Sequence, residues 1–267
     1  MDRCPARTES VDRMESPKKL EIIDLKKDYE KDVNVVSGVS FDVREREFLS
    51  LLGASGCGKT TILRILIGVL APTSGQIRKD GVDITNLPPA KRNMGIVFQN
   101  YALFESMTVF MNVAYALKIR HVSDYKEKTL NMLERMGLME LRDKKPGELS
   151  GGQQQRVAIA RTMVLHPDVI LFDEPLSALD ASTRLAIRRE IKALQKEYGV
   201  TIIYVTHDQE EAFAMSDRIM VMRDGQIEQL ATPEELIESP ATEFVRQFVV
   251  ENLNQKIQAL TRYRGDA

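Results

Sequence analysis

Eight residues at 53–60, GASGCGKT, set three glycines, a lysine and a hydroxyl in the pattern G-x-x-x-x-G-K-[ST]. Glycines let a loop turn its backbone N–H groups toward phosphate oxygens, and a helix opening at the same point adds positive potential. Lys59 is expected to reach the β- and γ-phosphates of a nucleotide, and the Thr60 hydroxyl to ligate Mg2+. Gly53, Ala54, Ser55, Gly56, Cys57 and Gly58, with Thr61 one residue into the helix, complete the expected cradle. The bland reading, a chance match in a glycine-rich turn, is disfavoured because an apolar run precedes the loop and a helical one follows it.

Two further groups carry chemistry. VILFDEP at 169–175 is an apolar strand ending in Asp173 and Glu174 and stopped by Pro175. Carboxylates at the C-terminal edge of a parallel sheet stand where such sheets bind ligands. Asp173 suits the shell of a magnesium ion, and Glu174 suits the polarisation of an attacking water. LSGGQ at 149–153 places Ser150, Gly151, Gly152 and Gln153 at the mouth of a helix, a second anion cradle or simply a capped helix. His207 follows an apolar run at 201–205, which puts it at a strand's C-terminal edge as well.

The elements that must hold these residues can be read too. Runs at 20–25, 35–43, 48–52, 76–78 and 94–98 predict strands. One helix is expected from Gly58 to near Leu70, stopped by Pro72 and Gly75. From about Thr108 to Leu165 the apolar period becomes helical, with Thr108, Asp124 and Ser150 as caps and no strand. Alternation then resumes, with strands at 169–172 and 201–205 and helices at 183–198 and 209–215. A hairpin at 218–222 and 226–230 turns through Arg223, Asp224 and Gly225, and helices follow at 233–238 and 242–260. This pattern predicts an α/β fold, a mainly parallel sheet with an antiparallel β edge and an inserted all-α block. The expected division is a leader at 1–18, a domain at 19–240 and a helical tail at 241–267. Within that domain the core is expected at 19–98 and 167–240, with the helical block at about 99–166. Met14 is a candidate true start.

Composition narrows the function classes. The chain has 267 residues, 43% hydrophobic and 28% charged, too apolar for a disordered protein. Its 37 Lys and Arg against 39 Asp and Glu leave a net charge of −2, so no nucleic-acid partner is expected from a chain-wide basic field. Two cysteines, Cys4 and Cys57, cannot build a disulfide framework and point to a reducing compartment. The most apolar stretch, 62–70, is nine residues with an arginine inside, far short of a membrane span.

Taken in order, the P-loop, Gln99 after GIVF, LSGGQQQRVAIAR at 149–161, ILFDEP at 170–175, SALD at 177–180 and His207 resemble the ATP-binding-cassette (ABC) transporter ATPases. The resemblance covers roughly residues 20–250, and YALF at 101–104, MTVF at 107–110 and PATEF at 240–244 are most similar to the importer subgroup for polyamine, ferric-ion and osmoprotectant uptake. It implies a P-loop NTPase with a RecA-like core, hydrolysing ATP with Mg2+. It implies that Tyr29 stacks on adenine, Gln99 touches Mg2+ and the water, and Asp180 crosses to the opposite subunit. His207 then hydrogen-bonds the γ-phosphate and positions Glu174. The implied partners are a second copy in a head-to-tail ATP sandwich, integral membrane permease subunits and, indirectly, an extracytoplasmic solute-binding protein. The implied location is the cytoplasmic face of the cell membrane, peripherally held.

The chain departs from the family's pattern in three places: Ala54 and Glu105 where proline is common, and Thr162-Met163 where Ala-Leu is common. Cys57 inside the loop suggests that a thiol reagent would block nucleotide binding. Rival readings are an exporter-type subunit and a soluble non-transport P-loop ATPase, kinase or GTPase. No N/T-K-x-D guanine-reading segment is present, and the 49 residues between Gln99 and Leu149 leave no room for long coiled coils.

Overall fold

The computed structural model describes residues 16–29 and 34–261. The candidate start at Met14 and most of the expected leader lie outside them, but Lys18, expected in the leader, is the first residue of a strand and pairs with Arg44. Along the chain run β1 (Lys18–Asp28), β2 (Asn34–Arg44), β3 (Phe48–Gly53), α1 (Lys59–Ile67), β4 (Ser74–Lys79), β5 (Val82–Asp83) and β6 (Met94–Val97). Then come α2 (Val109–Ile119), α3 (Tyr125–Arg135), α4 (Gly151–Met163), β7 (Val169–Asp173), α5 (Ala181–Tyr198) and β8 (Thr201–Thr206). The last are α6 (Gln209–Met215), β9 (Arg218–Arg223), β10 (Gln226–Ala231), α7 (Pro233–Glu238), α8 (Glu243–Val245), a π-helical turn (Arg246–Glu251) and α9 (Asn252–Thr261).

Packing divides the described chain into two units, one up to Pro88 and again from Ile203, the other from Pro89 to Ile202. β6 and β7, expected in the core, thus fall in the same unit as the inserted helices.

The first unit holds an antiparallel sheet in the order β2-β1-β4-β5, and strands β10, β9, β3 and β8 side by side. The antiparallel strands are therefore a sheet of their own rather than only an edge. β3 runs parallel to β9, and all six of its residues are buried, as expected for a strand covered on both faces. β9 and β10 form the expected hairpin, and Asp224 (φ 48°) with Gly225 (φ 76°) make the left-handed pair that matches a hairpin's twist. α1 ends earlier than expected. Gly68 adopts φ 88° and its N–H returns to Ile65 O, so the helix stops at Ile67, before Pro72 is reached. The tail is not one helix, because Gln209 Nε2 and Asn252 Nδ2 both donate to the Phe248 carbonyl and draw it out of the regular ladder. Its apolar face, with Val245 and Val249, packs on Leu52, Ala212, Ile219 and Leu236.

In the second unit β6 and β7 pair in parallel, Met94 with Val169 and Val97 with Phe172. Thr108 caps α2 by accepting from Met111 N, and Ser150 caps α4; Asp124 instead pairs with Lys128 at 3.2 Å and makes no cap bond. Thr162, one of the departures, is seated by Gly95: a Cβ there would lie 2.3 Å from the Thr162 methyl. The threonine hydroxyl donates to Ala158 O at 3.0 Å.

Candidate functional site

The loop between β3 and α1 is built around backbone freedom. Gly56 (φ 85°) and Gly58 (φ 97°) are left-handed, a conformation that costs an ordinary residue about 1–2 kcal/mol. A Cβ on Gly58 would lie 2.6 Å from Val35 O and one on Gly53 2.5 Å from Met222 O, whereas one on Gly56 would meet nothing within 4 Å. The loop is thus pinned at both ends and open in the middle. The Lys59 amine, with the residue only 4% exposed, donates to Gly53 O at 2.7 Å and Ala54 O at 2.8 Å, and lies 3.7 Å from Cys57 Sγ. Cys57 is buried, 6% exposed, which limits the access of a thiol reagent to it. Ala54, Ser55 and Gly56 are exposed, Thr60 is half-buried and Thr61 is buried beneath them.

Tyr29 follows β1, half exposed, with Lys27 Nζ 5.6 Å from the ring centroid. His207 is exposed just past β8. Beneath it Glu211, 4% exposed, accepts from Tyr204 OH and Thr206 Oγ1 at 2.9 Å each, and Asp208 N donates to Thr206 Oγ1. Asp208 in turn caps α6, so the turn carrying His207 is held from both sides.

In the second unit the register decides proximity. Val97 pairs with Phe172, so Gln99 and Glu174 each lie two residues beyond a paired position. Ser177 joins them: Gln99 Nε2 donates to Ser177 Oγ at 3.1 Å, and that hydroxyl donates to Glu174 O at 3.0 Å. Glu174 is held at φ 46°, a strained value for a non-glycine residue at a strand end. Asp173 closes β7 and is buried. Ser150 and Gln153 satisfy each other: Ser150 Oγ accepts from Gln153 N at 3.4 Å, and Gln153 Oε1 accepts from Ser150 N at 2.9 Å. A Cβ on Gly152 would lie 2.6 Å from Thr183 Cγ2, and one on Gly151 3.1 Å from Leu179, so both glycines admit close packing. Asp180 caps α5, accepting from Ser182 N and Thr183 N at 3.0 Å and from Ser182 Oγ at 2.6 Å. These bonds, the side-chain ones foremost, hold its carboxyl well below the usual carboxylate range.

Sequence reasoning assigned no role to three residues that shape this region. Ser177 lies in SALD but bridges to a segment 78 residues away. Arg161 donates to Ala102 O at 2.6 Å and Tyr101 O at 2.8 Å. Asn112, fully buried, donates to Phe104 O, Met107 O and Thr108 O and accepts from Phe104 N, fixing the loop before α2. The cues in the chain are that Ser177 and Arg161 lie in stretches carrying the family resemblance and that Asn112 is a polar residue inside an otherwise apolar helical run.

Comparison with known proteins identifies the family. The family described as "ABC transporter" matches residues 36–177. The spermidine/putrescine import ATP-binding protein PotA of Bacillus cereus is 51% identical over 220 residues, 82% of this chain and 67% of that protein. The protein of the same name from Thermobifida fusca is 50% identical over 216 residues, 80% of this chain and 56% of its own length. Among solved structures, cbiO1 from Clostridium perfringens, part of the cbiONQ ABC transporter complex, is 28% identical with a TM-score of 0.77 over 93% of this chain and 99% of its own. An ATP-binding cassette solved as a dimer in a post-hydrolysis state with ADP and Pi is 32% identical, with a TM-score of 0.72 over 80% of this chain and 98% of its own. With half of the chain matched by the family and half of the aligned residues shared with curated members, this protein belongs to the ABC transporters, as an ATP-binding subunit that hydrolyses ATP.

Proposed function

We propose that this chain drives solute import as one of a two-fold pair beneath a membrane permease, each ATP lying between one chain's P-loop and the other's Ser150–Gly152 segment. The observation that carries the reading is the P-loop itself, left-handed at Gly56 and Gly58 with Lys59 held on its own loop carbonyls. A buried ammonium needs such acceptors, and phosphate oxygens offer stronger ones; ATP thus exchanges neutral partners for charged ones. Tyr29 offers a half-exposed ring to adenine.

The donor set fits magnesium. Among the described residues no cluster of three or more His, Cys, Asp or Glu side chains forms a protein cage, and Mg2+ is ordinarily held by one or two protein oxygens together with substrate phosphates. Thr60, Asp173 and Gln99 would supply the protein oxygens. The ion would neutralise charge developing on the β- and γ-phosphates. Glu174 polarises the attacking water, Gln99 orients it, and His207 donates to the γ-phosphate. Asp180 meets the partner chain. A two-fold interface yields two equal sites from one sequence.

Attachment to the permease is assigned to a groove of about 490 Å³ lined by Met107, Met111, Tyr115, Lys118, Ile119 and His121. The Phe104 and Tyr115 rings meet at a tilt, centroids 4.7 Å apart, at its margin, and Met111 and Ile119 are 44% and 59% exposed. No helix of the described residues is long and apolar enough to cross a membrane. In the proposed assembly the permease holds the chain at the cytoplasmic face. Polyamines are the proposed cargo class, supported by the spermidine/putrescine import named for relatives about half identical to this chain, and an extracytoplasmic solute-binding protein is the proposed source of delivery.

Glu174→Gln tests the chemistry. The variant is expected to bind ATP as the parent does, by calorimetry, while turnover falls by about 10²–10³. ATPase activity near that of the parent would remove Glu174 from the role.

A further inference from the structure

We propose that Arg161 is a positioning residue for hydrolysis, clamping the loop after Gln99 in a backbone conformation the loop would not otherwise keep. The inference rests on the reading of Gln99 and Glu174 given above.

Tyr101 (φ 60°) and Ala102 (φ 47°) are consecutive non-glycine residues in the left-handed region, two and three positions after Gln99. Single residues visit this region at a cost, and a consecutive pair persists only where surrounding contacts over-determine it. Local contacts are modest: Tyr101 N reaches Phe98 O at 3.0 Å and Ala102 N reaches Asn100 O at 2.6 Å. Two non-local contacts come from α4: the Tyr101 side chain is buried with its hydroxyl at Gly151, and Arg161 bonds the backbone of the pair itself, its two terminal nitrogens taking one carbonyl each, Ala102 O at 2.6 Å and Tyr101 O at 2.8 Å. A planar guanidinium presents donors at the spacing of two adjacent carbonyls; an ammonium does not. The clamp is charge-assisted and partly desolvated, and burial draws the Arg161 guanidinium below its usual value.

Arg161 sits in the last turn of α4, the helix that Ser150 opens. Its guanidinium carbon also lies 5.7 Å from the Phe104 ring centroid. One side chain therefore touches the loop that starts at Gln99 and the aromatic that borders the permease groove, from the helix carrying the signature serine. Gln99 in turn reaches Glu174 through Ser177. Loss of the clamp lets Tyr101 and Ala102 relax, which moves Gln99 and leaves the phosphate cradle at 53–60 as it was.

The test is steady-state MgATP hydrolysis by the full chain. Arg161→Gln is expected to lower kcat by about 10–100-fold, the scale of a sub-ångström to ångström misplacement, with KM for MgATP held within about two-fold. Arg161→Lys keeps the charge but engages one carbonyl, and should fall between the two. Ala102→Gly places a residue that tolerates positive φ at the clamped position. Added to Arg161→Gln, it should recover at least about ten-fold in kcat, because the strain the clamp opposes is then gone. A merely structural arginine would not be rescued this way. If Arg161→Gln retains kcat within about two-fold, or if its loss is the same with and without Ala102→Gly, the clamp is refuted. Should Arg161→Gln fail to fold, Arg161→Lys carries the same comparison. Gln99→Ala separates the two levels: normal turnover in that variant overturns the role of Gln99 and the clamp with it. Loss there with normal turnover in Arg161→Gln overturns the clamp alone.

Discussion

Glu47 is 4% exposed at the foot of β3, its carboxylate 3.3 Å from Arg218 Nη1 and accepting from Arg44 N at 2.6 Å. Burial nevertheless pushes its pKa above the ordinary value, outweighing the Arg44 hydrogen bond and the Arg218 charge. A carboxyl whose folded pKa is raised binds more protons folded than unfolded between the two values, so stability falls as pH rises through that window. Glu47→Gln mimics the protonated form and leaves Arg218 with Asp42 at 3.5 Å. Urea melts at about pH 5 and about pH 7.5 should show the parent losing stability relative to Glu47→Gln at the higher pH. An unchanged difference between the two would exclude Glu47 as the titrating group. The motif residues at 53–60, 149–153 and 173–174 were legible because their chemistry depends on neighbours in the chain. The burial of Glu47 and the partners of Arg161, 59 and 60 residues away, depend on which segments pack together, and no spacing encodes that.

At the scale of elements, period and punctuation carried most of the reading: Gln209–Met215 and Pro233–Glu238 match the expected helices at both ends. The exceptions have local causes. Pro72 and Gly75 are the expected stop for α1, yet Gly68 ends it, because with this glycine left-handed its N–H returns to Ile65 O and those of Val69 and Leu70 to Arg64 O, satisfying the last carbonyls first. Gly68→Ala is expected to destabilise the protein by about 1 kcal/mol, the cost of a Cβ at positive φ, seen as a lower denaturation midpoint with an unchanged slope. A neutral substitution would mean that the cap is not under strain. β5, two residues long, was not anticipated; it exists because Val82 and Asp83 pair with Lys79 and Arg78, and a two-residue strand has no period to read.

At the scale of the molecule, the proposed pairing makes turnover a property of two chains. Activity per chain should fall on dilution, becoming proportional to concentration once the pair dissociates, and initial rates across a dilution series measure this. A specific activity that stays flat while sedimentation reports single chains would end the head-to-tail account. Phosphate chemistry, the Thr108 and Ser150 caps and most strand runs are legible in the chain itself, since they act through backbone groups a few residues apart. Folding settled the rest: the lysine resting on its own loop, the Ser177 bridge between Gln99 and Glu174, the left-handed pair under Arg161 and the drawn-out carbonyl of Phe248. Each depends on the path of the backbone or on which segments pack together, and the Gln99–Ser177 bridge forms although both residues are exposed, because packing brings two segments 78 residues apart within hydrogen-bond reach.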